Sequence, residues 1–132
     1  MDHPLHSPLR WACALALLVT AGTHLPLVPE HLEDAPYVGV LFILLSLGSI
    51  ALAVLIVVRD LPVVWAASGT VTLLALIAFL ASRTVGLPQI ADDIGNWTEP
   101  LGFPALAAEL ATTVLAVLAV GQSRRLAAPK HS

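Results

Sequence analysis

One carboxylate sits where charge is least expected. Glu109 lies about two turns inside residues 103–121, an apolar run that holds no other charge. By helix rise it would sit roughly 8–10 Å below the nearer end of that run. An ionisable group at membrane depth is costly, so it turns toward a bundle interior and needs a partner there. Ala105, Ala108, Thr112, Thr113 and Ala116 surround it with a small, partly hydroxylated face, which lets another helix approach closely. Three residues match its depth: Arg83, His24, and Thr20 one turn below His24. Three readings stay open. An Arg83–Glu109 ion pair or a Glu–His hydrogen bond would fix helix register. The same carboxyl would serve as a proton- or cation-binding group. As a neutral acid facing the headgroups it would have no role.

A second group is His24, Glu30, His31, Glu33 and Asp34. Imidazoles and carboxylates together suit zinc, iron, nickel or Cu(II), and the lack of Cys or Met ligands disfavours Cu(I). A divalent metal ion is thus the one cofactor these residues suggest, held by His24, His31 and either Glu30 or Glu109. The spacing matches no standard metal motif, and Pro26 and Pro29 are expected to interrupt any regular helix between the two histidines. A solvated acidic turn is the plainer expectation. His3, His6 and His131 fall in the tails and read as solvated. Cys13, the single cysteine, lies in an apolar run with no cation nearby to activate a thiolate. No phosphate loop, nucleophile elbow, catalytic dyad or redox motif is present, so the chain reads as non-enzymatic.

The elements that must carry these residues are set by composition. Of 132 residues 58% are hydrophobic and 11% charged, against about 25% charged in a soluble domain. That excludes a disordered chain, a nucleic-acid binder with a basic patch and an ordinary water-soluble globule. Four apolar stretches, at about 9–25, 37–58, 62–82 and 103–121, approach the ~20 residues a helix needs to cross the hydrocarbon. Strand alternation is absent. The expected fold is all-α, a four-transmembrane-helix bundle forming a single membrane domain over residues 1–132. The first stretch resembles a secretory signal peptide in having Arg10 and an apolar core. It lacks a full basic region and a clean small-residue cleavage site, so an uncleaved span is expected. Trp11, Tyr37, Trp65 and Trp97 fall near span ends, the aromatic-belt pattern.

Arg10, Arg59, Arg124, Arg125 and Lys130 share one side of this topology and Arg83 alone takes the other. The positive-inside rule puts both termini in the cytoplasm of a plasma-membrane protein. Glu30, Glu33, Asp34, Asp92, Asp93 and Glu99 then lie outside, so the outer loops carry a local charge of −5. Insertion does not require that clustering, which points to an outward-facing role. The four-residue connection Arg59–Pro62 makes the second and third spans antiparallel neighbours. In the second outer loop Leu87, Ile90, Ile94 and Trp97 recur at helical spacing, which predicts a short interfacial helix over Pro88–Trp97.

The runs His24–Gly39 (HLPLVPEHLEDAPYVG) and Ser82–Pro88 (SRTVGLP) resemble segments of small uncharacterised four-helix membrane proteins of actinobacteria. That resemblance implies the four-helix fold. The small multidrug exporters share the helix count, but their membrane glutamate is in the first helix, where this chain has none. The sequence reading is therefore an accessory or sensing membrane protein, partnered by the lipid bilayer and by another membrane protein or further copies of itself, with no nucleic-acid partner. The alternative is a small oligomeric transporter coupled to protons or cations through Glu109.

Overall fold

The computed structural model describes Leu5 and residues 7–129. Helix α1 covers Leu9–His24, α2 Val28–Asp34, α3 Pro36–Val58, α4 Pro62–Arg83 and α5 Gly102–Ala127, with no strand among the described residues. Four segments are long and apolar enough to cross a membrane: Leu9–Asp34, Pro36–Val58, Pro62–Arg83 and Gly102–Ala127.

The first segment runs nine residues past its expected end at residue 25. A 3-10 turn, Leu25–Leu27, links α1 to α2. Pro26 and Pro29 each fall at the first or second position of a new helical stretch. There the missing N–H has no partner to lose, so the prolines redirect the helix and do not end it. The expected outer loop at 26–36 shrinks to Ala35, whose extended backbone (φ −148°, ψ 84°) turns the chain into α3. The hairpin is tight. A Cβ on Gly39 would lie 2.6 Å from Leu32 Cδ2 and 2.8 Å from the Leu32 backbone nitrogen.

Helix α1 packs on α3 and α5, and α4 packs on α5. Gly69 sets the α4–α5 approach, since a Cβ there would lie 2.6 Å from the Ala116 methyl. Gly69→Leu is therefore expected to cost about 1–3 kcal/mol of resistance to thermal unfolding in micelles. Gly22→Ala, with open space around it, should be neutral or mildly stabilising by the same assay. Equal behaviour of the two variants would refute this packing.

The α3–α4 neighbours expected from their short turn do touch, but they pack on each other far more sparsely than α1 does on α3 or α4 on α5. Each is drawn to a different neighbour, and a gap opens between them away from the turn. The turn itself is anchored. Asp60 adopts φ 44°, a left-handed conformation that Asp tolerates better than most residues. Its carboxylate accepts from the Trp65 indole N–H (2.6 Å) and from the Ser7 backbone N–H, its carbonyl accepts from Leu5 N–H (2.9 Å), and Arg10 lies 3.7 Å away. Trp65 is wholly buried and so is not a belt residue; Trp11, Tyr37 and Trp97 are exposed. Cys13 and Leu17, buried beside Trp65 in the same core cluster, fill this end of the bundle.

The expected helix over Pro88–Trp97 is reduced to one 3-10 turn, Ala91–Asp93. The reason is local. Gln89 (φ 67°) and Gly95 (φ 78°) have left-handed backbone, which a right-handed helix cannot include. The loop folds back on its neighbours instead. Gly95 N–H donates to the Arg83 carbonyl at 2.8 Å, and the Tyr37 hydroxyl donates to the Pro88 carbonyl at 2.7 Å. Ile90 is buried with Ala35 and Val38, and Leu87 and Phe42 pack against them.

Candidate functional site

His24 occupies the last turn of α1. Its Nδ1 donates to the Thr20 carbonyl at 2.7 Å, the i−4 position. That commitment turns Nε2 outward, 3.5 Å from Oε1 of Glu109 on α5. Glu109 is 1% exposed and His24 8%. Neither carboxyl oxygen of Glu109 has a hydrogen-bond partner among the described residues. The threonines nearby satisfy their hydroxyls elsewhere. Thr112 and Thr113 donate to carbonyls of their own helix, at 2.9 and 2.8 Å, and Thr113 Oγ1 lies 3.1 Å from Thr72 Oγ1.

This arrangement has one charge-balanced inventory. With a single proton between them, the imidazole and the carboxyl form either a neutral pair or an ion pair. Without it, a buried carboxylate faces a neutral ring, a state that costs several kcal/mol by desolvation. Small rearrangements would bring Nε2 and Oε1 into hydrogen-bond range. The hydroxyls of Ser46 and Ser49 on α3, which the sequence shows only as part of a small packing face, are also buried without partners.

Arg83 does not meet Glu109. Its Nη1 lies 3.2 Å from Oδ2 of Asp93 and 3.0 Å from Oγ of Ser82, and its guanidinium sits 4.5 Å from the centre of the Phe79 ring. It pins the α4–α5 loop to the end of α4, where a cation also complements the helix dipole. Its charge is thereby balanced locally.

The proposed metal set is not assembled. His31 repeats the local pattern of His24, its Nδ1 donating to the Leu27 carbonyl at 2.8 Å. Both rings pack on Phe42, at centroid distances of 4.8 Å for His24 and 4.7 Å for His31. Seven residues of helix separate them by roughly 10 Å along the axis, and Glu30 points about 100° away from His31. Among the described residues no three His, Cys, Asp or Glu side chains converge in a way that could hold a metal ion. His3, His6 and His131 lie outside the described residues. Phe42, which joins the two histidines, carries no sequence signal that sets it apart from the other aromatic residues.

Beside His24 is a cleft of 1040 Å³ between α3 and α4. Leu41, Leu45, Leu74 and Ala78 line its depth, and Glu30, Asp34, Asp92 and Glu99 its mouth. His24 and His31 both reach its wall. These features define an all-helical chain with four membrane-length apolar helices, a buried His–Glu pair and an adjoining cleft. No protein-family model, curated protein or solved structure matches the chain.

Proposed function

We propose that this chain is a non-enzymatic, multi-span plasma-membrane protein with both termini in the cytoplasm, acting as an accessory or sensing component. In this reading the His24–Glu109 pair is its proton- or cation-responsive element. The observation that carries the proposal is the Glu109 carboxyl, buried with no partner but the Nε2 of a histidine that also forms the cleft wall. A change of charge on the pair alters the packing of α1 on α5 and, through His24 and Phe42, the position of α3. The acidic outer face concentrates cations at the mouth.

The test is a distance measurement across the cleft. Leu44 and Leu74 are 60% and 62% exposed, so spin labels at Leu44→Cys and Leu74→Cys are expected to be tolerated in a Cys13→Ala background. In lipid nanodiscs the α3–α4 distance distribution is expected to change with outer pH, and to lose that response in Glu109→Gln. A distribution independent of pH in the unsubstituted pair would refute the sensing role. Proton flux in liposomes that Glu109→Gln abolishes would favour the transporter alternative.

A further inference from the structure

We infer that the α3–α4 cleft is a binding site for a single-chain amphiphile with an apolar tail and a cationic head, entering from the outer leaflet. Three observations carry it. The first is size: 1040 Å³ stands at the top of the ~300–1,000 Å³ range of small-molecule sites. The second is placement. The walls come from the two least-buried membrane-length helices, and Leu41, Leu44 and Leu74 remain 55%, 60% and 62% exposed among them. The cleft therefore borders the lipid, and a chain slides in sideways without crossing water. The third is charge complementarity. Five carboxylates, Glu30, Asp34, Asp92, Asp93 and Glu99, ring the mouth. Among the described residues the cation there is Arg83, which is paired with Asp93, so four of the five carboxylates stay unpaired by it. An anionic head is repelled by this rim and a cationic one held, whereas the apolar depth offers a polar body nothing.

This inference names an occupant for the cleft of the preceding reading and rests on that reading for its meaning. Its test is separate, because adduct position reports occupancy whereas the α3–α4 distance reports the response to pH. The full chain in nanodiscs of neutral lipid is doped with one of three probes. All share a diazirine-bearing C16 tail, with a trimethylammonium, a maltoside or a sulfate head. After irradiation, mass spectrometry locates the adducts. The expected result is adducts concentrated on Leu45, Leu74 and Ala78, about fivefold more from the cationic probe than from the neutral one, as a few exposed ion pairs would give. That preference should fall in Glu30→Gln/Asp34→Asn, a pair of exposed substitutions that removes two of the rim charges. Ala78→Phe, filling the cleft, should remove the adducts at Leu45 while leaving outer-face labelling of α1 unchanged. Equal yields from all three heads, adducts spread evenly around the helices, or cross-links to a second copy in place of the probe would each overturn the inference.

Discussion

Asp60→Ala should lower the stability of the folded protein by roughly 3–5 kcal/mol, counting the two buried donors it orphans and a small contribution from Arg10. Trp65 is wholly buried and its indole N–H has no other acceptor among the described residues. The Ser7 N–H likewise ends on the same carboxylate. Truncation leaves both without partners and frees the segment before α1 from the α3–α4 turn. Asp60→Asn should lose about half as much, because the amide offers only one acceptor oxygen. The readout is thermal unfolding in micelles, followed by circular dichroism. A loss under about 1 kcal/mol for the alanine variant would mean that the network is incidental.

The second large effect is a non-additivity. His24→Leu leaves Glu109 buried with no partner, and about 3–5 kcal/mol of stability should be lost wherever the carboxyl is charged. Glu109→Leu alone should cost much less, since His24 keeps its bond to the Thr20 carbonyl. The double variant should recover most of the loss, as apolar replacements of buried pairs often do. The cycle then yields a coupling of about 3 kcal/mol or more, close to the His24→Leu loss itself. Additive single effects would show that the two side chains are neighbours without interaction. Arg83→Leu should not couple to Glu109 at all. It should instead raise amide exchange in residues 91–97, the loop it pins through Asp93.

What could be read ahead of the structure followed from periodicity and cost. Four apolar runs of membrane length leave few alternatives to four helices, and a lone glutamate among alanines and threonines has to face inward. His24 was legible as a partner because it ends the first run at the depth of Glu109. The choice of His24 over Arg83 was not, since it depends on where residues 84–101 travel. Gly86 and Gly95 with positive φ return that loop onto Arg83 and bring Asp93 to it, and no spacing rule announces such a return. The prolines misled for a related reason: Pro26 and Pro29 look like breakers, but each begins a stretch. The α3–α4 gap was hidden because a short turn fixes proximity at one end only. In the sequence Asp60 is one charge in a four-residue connection, with nothing to say that a tryptophan five residues on would bond to it.

A proton held between His24 and Glu109 is what the proposed sensing role requires. Infrared difference spectroscopy of the protein in nanodiscs, titrated across neutral pH, observes it directly. We expect a carboxyl C=O band that responds to titration, disappears in Glu109→Gln and shifts in frequency in His24→Gln. A spectrum in which Glu109→Gln removes no band, or in which the band ignores His24→Gln, would contradict the shared proton and with it the sensing role.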